Sequence, residues 1–278
     1  MLASSLITLR EGLEAALIVG IVLGYLRKTG HLDRQGSVWA GVASALLVSL
    51  AAALALNAIG AEFSGRGEQI FEGVAMALAA AILTWMIFWM QRQSRQIRGD
   101  LEAGVRRAVD AGAAGGLFLL AFIAVVREGL ETTLFLTAAV FTATASDTIV
   151  GGLVGLLLAV IIGWLVYLGT ARLPMAAFFR VTGALLVIFA AGLVANAAGE
   201  FQEAGLLPGI VEHLWSTAAL LGDQSTLGSA LHSLVGYTSE PSLMQVLAYV
   251  AYYLTLWLGL QRATGATVGE KTPAQPVR

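Results

Sequence analysis

Two copies of one charged segment interrupt apolar stretches of this 278-residue chain. The sequence reads REGLEAAL from residue 10 and REGLETTL from residue 127. On a helix, glutamates three positions apart project from one face about 60° apart, and the arginine lies one turn from the second glutamate. Carboxylates in this arrangement can bind a cation or exchange protons. The charged members of the two copies are Arg10, Glu11, Glu14, Arg127, Glu128 and Glu131.

If the two copies meet, they form a cluster with a net charge of −2, because four carboxylates face two guanidinium groups. Such a cluster needs a partner, since a buried carboxylate without one takes up a proton rather than stay charged. The alternatives are a cation, protons, or both in exchange. Carboxylate oxygens suit hard cations, and no Cys, His or Met near either copy favours a soft one. We therefore predict that the four glutamates bind a metal ion and that Arg10 and Arg127 support them.

The composition places both segments in a membrane, because 58% of the residues are hydrophobic and only 12% are charged. That balance is typical of an integral membrane protein. A run of about 20 apolar residues crosses the hydrocarbon core as a helix. The sequence thus predicts an all-α, polytopic membrane protein with seven transmembrane helices. The predicted spans are residues 2–26, 37–60, 69–90, 113–144, 149–170, 180–199 and 242–261.

Basic residues are distributed unevenly among the loops. They fall between spans 1 and 2, 3 and 4, and 5 and 6, and in the tail, whereas the other loops hold only Arg66. By the positive-inside rule, the chain lies in the cytoplasmic membrane with its N-terminus outside and its C-terminus in the cytoplasm. Aromatic residues near the predicted cytoplasmic ends agree, since amphipathic rings favour the headgroup region. They are Tyr25, Trp39, Trp85, Trp89, Trp164 and Tyr167.

The two charged segments lie on spans that run in opposite directions, and both lie near the predicted bilayer midplane. We predict two inverted three-helix repeats, spans 1–3 and 4–6, followed by a seventh helix. Residues 1–262 then form a single transmembrane domain, with repeat one at about 1–90, repeat two at about 111–200, and an outer segment with the last helix at 201–262. Residues 263–278 are predicted to be a disordered cytoplasmic tail.

The non-cytoplasmic loops are acidic, and such a surface raises the local concentration of cations. Four glutamates in two closely spaced pairs could relay a cation from this surface toward the midplane; the alternative is a solvated rim. Two short amphipathic or re-entrant helices are predicted here, in GIVEHLWSTAALLG and LGSALHSLVGY. They contain His213 and His232, for which either metal capture or a structural hydrogen bond is open. The candidate relay residues are Glu68, Glu72, Glu200 and Glu203.

The chain resembles the oxidase-dependent iron transporters, meaning the high-affinity iron permeases of fungi and their bacterial relatives. The resemblance rests on REGLE at residues 10–14 and 127–131, and on GYTSEPSLMQVLAYVAYY from residue 236, which is similar to the family's entry into its last helix. It implies a permease that moves iron into the cytoplasm, with the REGLE glutamates as ligands in the permeation path. It also implies periplasmic proteins that oxidise or deliver iron as partners.

We expect iron, in the ferric state, as the transported substrate, with no permanently bound cofactor and no nucleic-acid partner. Ferrous iron, manganese or lead moving through the same cluster are the alternatives. An intramembrane enzyme with paired glutamates is the rival of another class, but the sequence has no HExxH, no GxSxG and no Cys. A purely structural clip, with each arginine paired to one glutamate, leaves the second glutamate of each copy without a role.

Overall fold

The computed structural model describes residues 1–93, 97–110, 114–167 and 175–268. Within those residues the secondary structure is helical, with no strand, as the composition predicts. A short 3-10 turn, Leu32–Arg34, precedes the second helix. The helices are α1 (Leu2–Lys28), α2 (Gln35–Glu62), α3 (Arg66–Gln93), α4 (Ile97–Asp110), α5 (Ala114–Thr142), α6 (Ala145–Tyr167), α7 (Met175–Glu203), α8 (Thr226–Val235) and α9 (Leu243–Val268).

Five of these helices are long and apolar enough to cross a membrane, judged over the described part of the chain: α2, α3, α6, α7 and α9. The helices α1 and α5 are equally long but carry the two charged segments in their apolar stretches. The last helix, α9, continues to Val268, beyond the predicted end of the last span. The rest of the predicted tail, residues 269–278, lies outside the described residues.

The helices pack in an exchanged pattern, in which α1 lies mainly against α6 and α2 lies mainly against α5. The helix α3 lies against α7, and α1 contacts α5 at the centre of the bundle. Large apolar side chains cover the outward faces of α2 and α6, where Leu47 is 68% exposed and Leu157 is 60% exposed. A lipid environment suits such faces.

Small residues bring these helix pairs close together. A Cβ built on Gly155 would collide with the Ser5 carbonyl oxygen, and one on Gly163 would lie 2.8 Å from the Cβ of Ala16. On α2, a Cβ on Gly41 would lie 3.2 Å from the Cβ of Ala121 on α5. The small residues of α6 recur at every fourth position, and they are Gly151, Gly155, Ala159 and Gly163.

The helix α4 lies in a stretch that the sequence analysis treats as a basic loop between spans 3 and 4. It packs against α1 and α5 through the fully buried Val105. Two arginines tie this region together: the Arg106 Nε donates to the Tyr25 hydroxyl at 3.3 Å, and an Arg34 Nη donates to the Val109 carbonyl at 3.1 Å. We call this end of the bundle, with α4 and the α1–α2 connection, the basic end.

The opposite end holds the α2–α3 connection, the start of α8 and the four candidate relay glutamates, and we call it the acidic end. Of the two short helices predicted there, the one in GIVEHLWSTAALLG is wrong, because residues 204–225 are irregular. Their backbone bonds to the stretch before α9 instead: the Leu214 N–H donates to the Pro241 carbonyl and the Thr217 N–H to the Ser239 carbonyl. The Asp223 carboxylate fixes that stretch by accepting from the Ser239 N–H at 2.8 Å.

The second predicted short helix is confirmed as α8, and it projects into the bundle from the acidic end. It ends at Gly236, whose φ of 69° is readily adopted only by glycine. A Cβ on Gly192 of α7 would lie 2.6 Å from the Gly236 nitrogen. Gly192 lies eleven residues before the end of α7 at Glu203, or about 16 Å along the helix axis. The C-terminal end of α8 is therefore deep inside the bundle.

The close approach of α1 and α6 gives a direct stability test. We expect Gly155→Ala to destabilise the detergent-solubilised protein by about 1–3 kcal/mol, because the added methyl group overpacks the α1–α6 contact. Gly24→Ala on α1 is the matched control, since a Cβ there meets nothing within 4 Å. The measurement is the thermal unfolding midpoint, which should fall for Gly155→Ala only. Equal midpoints for the two variants would contradict the packing.

Candidate cation site

The structure brings the two charged segments together at the contact of α1 with α5. Carboxylate oxygens of Glu11, Glu128 and Glu131 all lie within 4.8 Å of one another. Glu11 is 1% exposed and Glu128 is 3% exposed. Three acidic groups from two helices thus share one small volume, which is a geometry that can hold a metal ion.

Each arginine contacts both glutamates of its own segment. An Arg10 Nη lies 2.6 Å from a Glu11 oxygen, and the other Nη lies 2.9 Å from a Glu14 oxygen. The Arg127 Nε donates to Glu131 at 2.9 Å, and it lies 3.9 Å from Glu128. The arginines therefore orient the carboxylates. A simple clip of one arginine to one glutamate does not describe this arrangement.

The cluster keeps acceptor atoms that the protein does not satisfy. Within the described residues, the Oε2 atoms of Glu11, Glu128 and Glu131 are buried and have no hydrogen-bond partner. A buried polar atom without a partner is costly, and a buried charge more so. Four carboxylates and two guanidinium groups leave a charge of −2. Bound protons or a bound cation would therefore stabilise this cluster.

The glycine of each segment allows a neighbouring helix to approach the site closely. A Cβ on Gly12 would lie 2.7 Å from the Cβ of Ala159 on α6. A Cβ on Gly129 would lie 2.8 Å from the Cβ of Ser49 on α2. The two glycines make equivalent contacts in the exchanged helix pairs, α1 with α6 and α5 with α2. The two segments therefore have similar packing environments.

A cavity of about 1140 Å³ runs along α1, α2, α5 and α6 and reaches the site. Glu11 and Glu128 line it at the site, and Glu68 and Glu72 line it at the acidic end. Two of the four candidate relay residues are therefore connected to the site by open space. The space between α3 and α7, in contrast, is filled by buried side chains such as Met76 and Leu193.

The other two candidate relay residues flank this entrance from α7. Glu203 accepts a hydrogen bond from the Gln69 side chain at 3.2 Å. Glu200 lies within electrostatic reach of Glu72 and Glu203. The four glutamates thus form one acidic group at the end of the bundle, but only the pair on α3 lines the cavity.

The sequence from residue 1 to residue 270 matches the model of the iron permease FTR1 family. The chain belongs to this family. It is 38% identical over 256 residues to the ferrous iron permease EfeU of Escherichia coli O157:H7, covering 91% of this chain and 93% of that protein. It is 36% identical over 256 residues to the ferrous iron permease EfeU of Yersinia pestis, covering 91% of each chain. No solved structure matches the chain.

Family membership and the helices together establish a multi-pass membrane protein of a transporter family rather than an enzyme family. The resemblance stated from the REGLE segments is thus confirmed at the level of the family. Among the described residues of this permease, neither His213 nor His232 lines the cavity or belongs to the cluster of glutamates. The His232 Nδ1 lies 2.8 Å from the Tyr237 carbonyl, where it supports the end of α8. His213 is exposed and lies 3.7 Å from Glu240.

Two residues of α3 that contact the arginines, Met86 and Trp89, were not predicted as part of the site. An Arg10 Nη donates to the sulfur of Met86 at 3.1 Å, and Arg127 lies 4.5 Å from the centre of the Trp89 ring. A cation over an indole face is stabilised by the ring quadrupole. Trp89 was expected only as a membrane-interface aromatic. The available signal was the three-residue spacing of Met86 and Trp89, which places both side chains on one face of α3.

The excess negative charge of the permease site gives a thermodynamic test. We expect Glu128→Gln to raise the thermal unfolding midpoint of the metal-free protein, because it removes one uncompensated charge without changing the shape of the side chain. The midpoint should rise by about 2–4 °C for each kcal/mol of repulsion relieved. The same variant should show a smaller rise in midpoint when ferrous iron is added, since binding to the folded state stabilises it.

The control for this test is Glu62→Gln, at the exposed end of α2. It should leave both midpoints unchanged. A Glu128→Gln protein that is less stable than the wild type without metal, yet equally stabilised by iron, would show that the cluster is not electrostatically frustrated.

Proposed function

We propose that this permease moves ferrous iron inward across the cytoplasmic membrane through a site formed by both REGLE segments. The observation that supports this most strongly is the meeting of Glu11, Glu128 and Glu131 within 4.8 Å, in a buried setting. Glu14 completes the set through its ion pair with Arg10. In this proposal Arg10 and Arg127 orient the carboxylates and limit the negative charge of the empty site.

Charge balance favours ferrous over ferric iron. The cluster has a charge of −2, from four glutamates and two arginines. One divalent cation brings it to zero, whereas a trivalent cation leaves a buried charge of +1, which is expensive in a low-dielectric site. The relatives named above are ferrous iron permeases. We therefore propose ferrous iron in place of the ferric iron expected from the sequence.

Other divalent cations satisfy the same charge balance, so manganese and lead stay as alternatives. Carboxylate oxygens alone discriminate weakly among such ions, which differ mainly in size and in preferred geometry. Competition for iron uptake by a panel of divalent cations separates these alternatives. Strong uptake of manganese with weak uptake of ferrous iron would assign the site to manganese.

We propose that α1 and α5 also cross the membrane, which gives seven spans in two inverted repeats, α1–α3 and α5–α7, with α9 as the last span. The exchanged packing supports this, since α1 on α6 corresponds to α5 on α2 under a two-fold relation. The charged residues of α1 and α5, because of which these two helices are less apolar than the other five, lie at the centre of the bundle. There they face one another and not lipid, as intramembrane charges do. Residues 1–262 then form one permease domain.

For orientation, we propose that the basic end is cytoplasmic and the acidic end is periplasmic, by the positive-inside rule. The N-terminus is then outside. The acidic group at the cavity entrance attracts cations from the periplasm, where proteins that deliver iron would act as partners. An iron-oxidising partner, the other kind expected from the sequence, does not fit a ferrous substrate, because it would convert that substrate to ferric iron. An inside-negative membrane potential favours entry by about 2.3 kcal/mol per charge per 100 mV. Transport down that potential needs no nucleotide.

The proposal makes a direct prediction for transport. We expect Glu14→Gln and Glu131→Gln to abolish ferrous iron uptake into proteoliposomes with an imposed inside-negative potential. Each change keeps the size of the side chain but removes a charge held by an arginine one turn away. Uptake is measured as iron inside the vesicles, normalised to the amount of inserted protein.

Glu62→Gln serves as the control for insertion and should transport like the wild type. The substrate is tested in the same vesicles by comparing iron kept reduced under argon with iron supplied as a ferric chelate. Full uptake by either central variant would overturn the assigned site. Uptake of ferric iron alone would overturn the assigned oxidation state but leave the site in place.

A further inference from the structure

We infer that a column of threonine hydroxyls on α5 forms the outer half of the permeation path to the glutamate site. The column consists of Thr132, Thr133 and Thr137, all of which line the cavity that joins Glu128 to Glu72. This inference rests on the proposed function, because it names the route by which the cation reaches the same site. It adds Thr137, which lies outside the repeated segments, and Thr132 and Thr133, whose counterparts in the first segment are Ala15 and Ala16.

The column winds partly around α5 from Glu128 toward the acidic end: Thr132 lies about 40° from Glu128 around the helix axis, and Thr133 and Thr137 lie about 140° and 180° from it. Thr132 follows Glu128 by four residues and Thr137 follows Thr133 by four, so each step is about one helical turn, or about 6 Å. Other polar groups line the cavity beside them, namely Ser49 and Asn57 on α2. A hydrated or partly hydrated cation in this part of the cavity can therefore meet hydroxyl oxygens at two successive levels of α5.

The hydroxyl hydrogens of the column are already engaged. The Thr132 hydroxyl donates to the Glu128 carbonyl at 2.7 Å, and the Thr137 hydroxyl donates to the Thr133 carbonyl at 2.8 Å. The Thr133 hydroxyl is shared between the Gly129 carbonyl at 2.9 Å and the Ser49 carbonyl of α2 at 3.2 Å. A hydroxyl that donates its one hydrogen keeps its lone pairs, so it presents only acceptor character to the cavity. A row of oxygen acceptors is the kind of lining that replaces the hydration shell of a cation.

The cavity wall across from the column holds an independent sign of a ligand. The Thr148 hydroxyl of α6 also lines the cavity, and its side chain is 3% exposed. Within the described residues its oxygen is buried and has no hydrogen-bond partner. A buried hydroxyl oxygen without a hydrogen-bond partner is costly, and on a cavity wall a water molecule or a cation can supply the missing interaction.

The half of the cavity beyond the site, toward the basic end, has a different lining. From Glu11 and Glu128 to Gln35 at its far limit, the described lining residues are aliphatic side chains, glycine, alanine and tryptophan, such as Val19, Val42 and Val125. A cation finds no oxygen ligand along that surface. Apart from Gln35, the lining side chains that carry oxygen atoms thus lie at the site or in the outer half, among apolar ones such as Leu136 and Phe141, as expected for a site loaded from the acidic end.

The first experiment removes hydroxyls without changing side-chain size. We expect Thr133→Val and Thr137→Val each to lower the rate of ferrous iron uptake by about tenfold or more, because each loses one charge–oxygen interaction. Thr133→Ser keeps the hydroxyl and should transport like the wild type. Thr142→Val is the matched control on the same helix: Thr142 is buried, donates to the Ala139 carbonyl and lies away from the cavity.

The second experiment uses the lack of native cysteine in the chain. A membrane-impermeant thiol reagent, applied from the side of the acidic end, should modify Thr137→Cys and leave Val19→Cys unmodified, and ferrous iron should slow the first reaction. Modification of Val19→Cys without modification of Thr137→Cys would overturn the route. So would wild-type uptake by both valine variants while Glu131→Gln stays inactive, a result that leaves the proposed function intact. Wild-type uptake by Glu131→Gln as well would overturn both.

Discussion

The structure depends on one electrostatic constraint, which is the burial of four carboxylates against only two guanidinium groups. The arginines reach both glutamates of their own segment, but buried oxygens of Glu11, Glu128 and Glu131 stay without a donor. A site in this condition is stabilised only by adding positive charge. In the function proposed above, the excess negative charge attracts a cation to the empty site, and the two arginines limit how tightly that cation is bound.

The rest of the bundle serves to hold this cluster in place. The helices α1 and α5 can meet at the centre because α6 and α2 pack closely against them through small residues, including Gly12 and Gly129 of the segments themselves. The helix α3 supports both arginines from one side, with Met86 under Arg10 and Trp89 under Arg127. The support is unequal, since Arg10 is fully buried whereas the Arg127 side chain is 36% exposed. The two halves of the site are therefore similar in plan but differ in solvation.

Much of the site could be predicted from the sequence, because charges inside apolar stretches are rare and the same segment occurs twice. The positions of the long helices follow from apolar length in the same way. The exchanged pairing of α1 with α6 and α2 with α5 could not be predicted, since stripes such as Gly151 to Gly163 show that a helix packs closely but not against which partner. The irregular stretch at residues 204–225 was missed because its backbone bonds to residues 239–241, and such distant pairing leaves no local pattern. The helix α4 was not predicted, because its arginines made the stretch read as a basic loop, although Val105 and its neighbours follow a helical spacing.

The threonine column and the valine-lined inner half give the cavity a direction that the repeated segments alone do not have. The central claim, however, concerns the cluster itself, and a structure determined with ferrous iron bound tests it most directly. We expect the anomalous signal of iron between Glu11, Glu128 and Glu131. Iron found only among Glu68, Glu72, Glu200 and Glu203, with the central carboxylates unchanged and without metal at saturating concentration, would contradict the account.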